Sequence, residues 1–121
     1  MTDWQRAEKF VAERYDLEHN PGQPGERWYD AVNPRTGAKY QVKSAQSGGR
    51  FRLWDDQHRS LTAAEGANAA WYVFVVPNRE PRRVRPTTVT QWVNSRGGWN
   101  RANHELRPGA RQHKLPVSEV F

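Results

Sequence analysis

The chain has 121 residues, no cysteine and a formal net charge of +6, with a sequence pI near 10.2 and a mean hydropathy of −1.04. A length of this order holds one modest core, so a single domain is expected over residues 1–121, and the missing thiols exclude disulfides, thiolate metal sites and cysteine nucleophiles. No apolar run approaches the ~18 residues of a membrane span and the N-terminus carries no secretory pattern, so a soluble, cytoplasmic protein is expected.

The charge is unevenly spread. The first 30 residues carry four Lys/Arg against seven Asp/Glu, and the rest carry fifteen against six. Such a division suits acidic ligands for a cation in one part and a track for phosphate in the other. Hydrophobic content is only 36%, which six Trp, four Tyr and four Phe offset through the large area each ring buries.

Residues 2–18 predict a helix. Thr2 and Gln5 match an N-cap with its partner three residues on, and Trp4, Ala7, Val11 and Tyr15 recur at helical spacing. Glu8 falls inside that apolar stripe; Glu13 lies nearer the polar side. By the residues alone, Glu8 reads as a carboxylate reaching water from the stripe edge. Pro and Gly make a loop of residues 19–25, in which His19 reads as solvated, and Glu26 then leads into the next element.

Residues 28–44 predict a β-hairpin turning on Asn33-Pro34-Arg35-Thr36-Gly37. A turn centred on Arg35 and Thr36 sets Asp30 opposite Gln41 and Trp28 opposite Lys43. Asp30, Gln41 and Lys43 then share a face. A carboxylate, an amide and an ammonium together form either a solvated surface or a site. The two oxygens suit a hard divalent cation, with Lys43 at hand for a water or a phosphate.

After the polar loop 44–49, Arg50–Trp54 alternates cleanly, with Arg50 and Arg52 on one side and Phe51 and Leu53 on the other. It is expected as the third strand of an antiparallel meander. Asp55–Ser60 reads as a solvated connection that includes His58, and Thr62 with Glu65 as a capping box opening a helix to about Ala70. Trp71–Val76 is an unbroken apolar run, hence a strand covered on both faces at the centre of a mixed sheet. Four Arg fall within Arg79–Arg85, a candidate phosphate-contacting edge. Thr87 or Thr88 is expected to cap a short helix ending at Gly97-Gly98. Residues 99–114 read as basic and irregular, and Leu115–Phe121 as a docked terminus. Residues 78–121 are thus expected as a basic C-terminal elaboration.

Asp30 followed after a hairpin by Gln41-Val42-Lys43 resembles the signature of the PD-(D/E)xK, or restriction-endonuclease-like, nucleases. Within them the look is closest to archaeal Holliday junction resolvases, which begin with a helix carrying a metal-site Glu. Gln41 departs from the usual Glu, and Tyr29 from the Pro of the motif's name. The resemblance implies an α/β fold with a mixed sheet flanked by helices (helix, three-strand meander, helix, strand). It also implies metal-dependent hydrolysis of DNA phosphodiesters. Glu8, Asp30, Gln41 and the Val42 carbonyl would hold Mg²⁺ or Mn²⁺, and Lys43 would position the attacking water. Ser44, Gln46, Arg50, Arg52, Arg79, Arg82, Arg83 and Arg85 would bind branched or duplex DNA. By analogy it implies a homodimer. A nucleic-acid-binding domain that keeps the fold without the chemistry is the alternative.

Overall fold

The computed structural model describes residues 2–20, 28–67 and 69–121, apart from the side chain of Ala67. The elements are α1 (Asp3–Tyr15), β1 (Glu18–His19), β2 (Ala31–Val32), β3 (Lys39–Ser44), β4 (Arg50–Trp54), α2 (Asp55–Ala67), β5 (Ala70–Val75), β6 (Arg82–Val84), α3 (Pro86–Ser95), β7 (Asn100–Arg101), β8 (Arg111–Pro116) and α4 (Val117–Val120).

Helix α1 starts as its sequence predicts. The Thr2 hydroxyl accepts from the Gln5 N–H, and the Gln5 side chain accepts from the Thr2 N–H at 2.9 Å. Such a cap contributes about 1 kcal/mol. The helix stops at Asp16, which takes the left-handed conformation (φ 57°).

Five strands form a sheet in the order β1-β2-β3-β5-β6. β3 and β5 run parallel, and the other pairs are antiparallel, so the sheet is mixed as expected. β5 holds the interior position that its apolar run predicts, with Tyr72, Val73 and Phe74 at most 1% exposed. Each such side chain contributes roughly 1.5–3 kcal/mol by burial. Alternation sorts the side chains. Tyr40, Val42 and Val73 pack with Ala7 and Val11 of α1 on one face. Tyr72 and Phe74 face a second core, built with Leu61 of α2, Val89 and Val93 of α3, and Phe51, Leu53 and Leu115. Gln41 and Lys43, between Tyr40, Val42 and Ser44 on β3, share this second face.

Expectations for β4, α2, His58 and the cap of α3 fail here. β4 does not extend the meander, which consists of β1, β2 and β3; it pairs with β8, from Arg50↔Pro116 to Trp54↔Gln112, in a second sheet ordered β4-β8-β7. The place beside β3 goes to β5, whose both-sided apolar character needs the interior position. β4 has one apolar side only, and packs Phe51 and Leu53 face-on against the first sheet. The second failure concerns α2, which begins at Asp55, straight from the end of β4. Thr62 lies inside that helix with its hydroxyl on the Arg59 carbonyl at 2.9 Å. Glu65 reaches the Thr87 N–H and hydroxyl at the start of α3 instead of forming a capping box.

His58 is consequently buried, not solvated, at 4% exposure. Its Nδ1 and Nε2 meet the Tyr72 hydroxyl and the Thr90 hydroxyl, each at 2.7 Å, and Thr90 donates to the Pro86 carbonyl. The trio ties α2, β5 and α3 with its ring nitrogens satisfied. Helix α3 starts at Pro86, so neither Thr87 nor Thr88 is its cap, and Gly98 closes it by donating to Val93 O at 2.9 Å. The terminus docks as expected through Leu115, Val117 and Val120.

Candidate active site

The β2–β3 hairpin has the predicted register, Ala31↔Tyr40 and Val32↔Lys39. Its turn is held by Asn33, whose side chain accepts from Arg35 N–H at 2.9 Å, with Gly37 at φ 76°. The Asp30 N–H still donates to Tyr40 O at 2.7 Å. There the main-chain ladder stops. The Asp30 carboxylate takes over, its Oδ2 accepting from Val42 N–H at 2.7 Å. Trp28 therefore does not pair with Lys43; it packs on the second core, its ring 4.7 Å from that of Tyr29. A residue's N–H and C=O leave a strand by the same edge. The Val42 carbonyl accordingly points to the edge that β2 leaves uncovered.

Three further groups converge on this edge. Glu8, on the buried side of α1 beside Ala7 and Val11, is only 8% exposed and shares a hydrogen bond with Asp30. Burial, then the bond and the negative charge of Asp30, push its pKa from the ordinary 4.5 to about 8 against the pull of Lys43. Lys43 donates to Gln57 Oε1 of α2 at 3.2 Å. Burial lowers its pKa to about 8; Asp30, Asp56 and Glu8 oppose that fall, and Arg107 reinforces it. Gln41 is 4% exposed, and its Oε1 is buried with no hydrogen-bond partner among the described residues.

The sequence matches the PD-(D/E)XK nuclease superfamily domain over residues 5–121. The chain belongs to that superfamily. Among curated proteins none matches the sequence significantly. Among solved structures, it is similar to Archaeoglobus fulgidus Hjc, a Holliday junction resolvase from an archaeal hyperthermophile. The identity is 18%, the match covers 98% of this chain and 95% of that one, and the TM-score is 0.57. At that identity the likeness establishes the shared restriction-endonuclease-like fold.

Nucleases of this superfamily generally use divalent metals, and the donor set here fits one. Burial, then the hydrogen bond and charge of Asp30, raise the pKa of Glu8, an arrangement a cation beside the two carboxylates would relieve. The orphaned Gln41 oxygen costs desolvation unless something meets it, and hard cations take oxygen ligands. With an amide at position 41, no group of three acidic, His or Cys side chains forms among the described residues.

The remaining candidates are more scattered. Ser44 ends β3, half-buried, and Gln46 is exposed in the following turn. Both line a groove beside α1. Arg50 and Arg52 lie exposed on the outer face of the second sheet, where Arg52 pairs with Lys114. Arg79, Arg82, Arg83 and Arg85 lie on or beside β6, at the far edge of the first sheet and separated from β3 by β5. Their guanidinium groups lean on rings: Arg79 on Phe121, Arg82 on Trp92, and Arg83 and Arg85 on Trp71 at 4.1 and 5.4 Å. The structure thus gathers Glu8, Asp30, Val42 and Lys43, keeps Gln41 on the same strand face as Lys43, and leaves the 79–85 arginines apart. Glu13 is exposed on α1 and His19 on β1, not in a loop; Glu26 lies outside the described residues.

Three neighbours of Lys43 escaped the sequence reading. Gln57 contacts it, while Asp56 and Arg107 form an ion pair whose charges reach it. Two acidic residues in a first helical turn, as at Asp55-Asp56, are a helix-start signal that would have placed Gln57 facing the site. No local pattern ties Arg107 to Asp56.

Proposed function

We propose that the protein is a metal-dependent DNA endonuclease that hydrolyses phosphodiester bonds, acting on branched DNA in the manner of a resolvase. The observation carrying this reading is the convergence of Glu8, Asp30 and Lys43 where β2 ends, beside a Gln41 whose oxygen is buried with no partner among the described residues. Glu8, Asp30, Gln41 Oε1 and the Val42 carbonyl would hold Mg²⁺ or Mn²⁺, which supplies neutralisation of phosphate charge and a more acidic attacking water.

The chain's own groups do the rest. Asp30 is fixed by Val42 N–H, so its orientation is set before any ligand arrives. Lys43, held by Gln57 and with its pKa lowered by burial to about 8, orients a water for in-line attack and, in its neutral form, takes up its proton. Arg50 and Arg52 bind backbone phosphate away from the reacting centre. The branched-substrate part rests on the resemblance to a protein named as a Holliday junction resolvase, and a homodimer with one site per strand belongs to it.

The test is cleavage of four-way, duplex and single-stranded DNA, with an RNA arm, in Mg²⁺ and in Mn²⁺, beside Lys43→Ala. Loss of about 100-fold or more in that variant is expected. Cleavage that survives Lys43→Ala unchanged removes the mechanism. Gln41 favours a second reading, since an amide in place of a carboxylate takes one negative charge from the metal site. Salt-sensitive DNA binding with no cleavage in either metal would establish a non-catalytic binding domain.

A further inference from the structure

The β7–β8 connection, residues 102–110, carries the most solvent-exposed large hydrophobic side chain among the described residues, Leu106 at 86%. One exposed leucine is ordinary; its mounting is not. The connection is closed by Ala102 N–H to Ala110 O at 3.0 Å, and tightened by Arg107 N–H to His104 O and Ala110 N–H to Arg107 O, both 3.1 Å. The Leu106 N–H itself donates to His104 Nδ1 at 3.2 Å.

Arg107 then bolts this turn to the body of the protein. Its Nη2 meets both oxygens of Asp56, at 2.6 and 2.7 Å, and its guanidinium lies 4.0 Å from the centre of the Trp54 ring. The His104 ring meets Trp54 edge-on at 5.7 Å. Asp56 adjoins Gln57, the residue that holds Lys43. An apolar tip is therefore presented on a braced arm, a few side chains from the reacting amine. Its own strands add Arg101 and Arg111, a register pair, and Lys114 stands beside Arg52 on the next strand. The groove at Leu106 holds Arg59, Arg107 and Arg111, with Asp55 and Asp56 paired to the first two; an apolar tip above Arg111 and next to the candidate site suits a nucleic acid, whose phosphate takes the cation while its stacked bases receive the leucine.

We propose that the 102–110 turn is a wedge whose Leu106 enters the base stack at a break or branch point beside the strand to be cut, with Arg107 as its anchor. This rests on the nucleic-acid-cleaving reading and adds the substrate feature that the site selects. At a nick or junction one stacking step is already open, so the wedge costs less to insert there than in a continuous duplex.

The test uses the full chain with 2-aminopurine at the branch point of a four-way junction, and Ca²⁺ in place of Mg²⁺ so that the signal needs no turnover. Wild type is expected to raise the fluorescence, Leu106→Ala to abolish the rise, and Leu106→Met to restore it. In Mg²⁺, Leu106→Ala is expected to lower kcat/KM about tenfold or more on the junction and less than threefold on a single strand. An unchanged fluorescence rise in Leu106→Ala overturns the wedge, as does an equal loss on all substrates. Self-association abolished by Leu106→Ala with no base unstacking also overturns it, in favour of contact with a second copy. Failure of cleavage in wild type, with the fluorescence pattern intact, refutes the nuclease chemistry and leaves the wedge standing.

Discussion

Glu8→Gln is expected to stabilise the metal-free protein while removing a ligand from the proposed metal site. Glu8 is buried, bonded to Asp30 and held protonated up to about pH 8. In the unfolded chain it ionises near 4.5. Between those values the native state binds the extra proton, so the contribution of Glu8 to stability falls as pH rises through this window. At about 1.4 kcal/mol per pKa unit, the full cost at pH 8 is roughly 4 kcal/mol. Sharing the proton with Asp30 reduces the expected effect to roughly 2 kcal/mol. Glutamine keeps a donor for Asp30 and carries no charge to bury. Thermal unfolding in EDTA should therefore place Glu8→Gln about 5–10 °C above wild type at pH 8 and level with it at pH 4.5. Taking the difference between the two proteins cancels every titration that they share. Mg²⁺ should raise the wild-type midpoint at pH 8 and leave that of the variant unmoved. A variant less stable than wild type at pH 8 without metal would refute the reasoning, because Glu8 would then be an ionised, well-paired carboxylate.

Gln41→Glu should restore a third carboxylate to the site, tightening Mn²⁺ at least about tenfold by calorimetry and raising cleavage; weaker binding would place the Gln41 oxygen outside the coordination sphere. His58, with its pKa lowered to about 4 by burial, stays neutral in the fold, while its unfolded counterpart takes a proton below about 6.5. Stability should therefore fall by roughly 2–3 kcal/mol as pH drops from 6.5 to 4, a slope that His58→Gln removes in chemical denaturation. Arg52→Ala should weaken DNA binding and lower the salt slope by about one. Arg83→Ala, which strips a cation from Trp71 at 4.1 Å, should lower stability by about 1 kcal/mol; an equal drop in its salt slope would assign the β6 edge to the nucleic acid as well.

What the sequence disclosed was local. The Thr2 cap, the hairpin turn at Asn33–Gly37 and the Trp71–Val76 run each carry their instruction within a few residues, and all three form as read. The Asp30–Gln41 register followed from turn geometry alone, which set three candidates, Asp30, Gln41 and Lys43, on one face. Long-range pairing stayed hidden. Nothing in Arg50–Trp54 states that its partner lies some sixty residues on, and Arg111–Pro116 disguises its buried side with a histidine, since His113 shares that side with Leu115 while Lys114 between them is exposed. The same disguise concealed the start of α2. His58 holds a core position there, yet its ring reads as polar until Tyr72 and Thr90 are seen to satisfy it.

The early end of β2 has a cost beyond chemistry. Among the described residues it leaves the flank of β3 past Tyr40 without a partner strand, and bare backbone of this kind invites another chain to add itself as a strand. Asp30 stands in that opening, occupying the Val42 amide and setting a charge where an intruding backbone would lie. Loss of that carboxylate is therefore expected to lower solubility, by freeing the strand edge for a second copy of the protein.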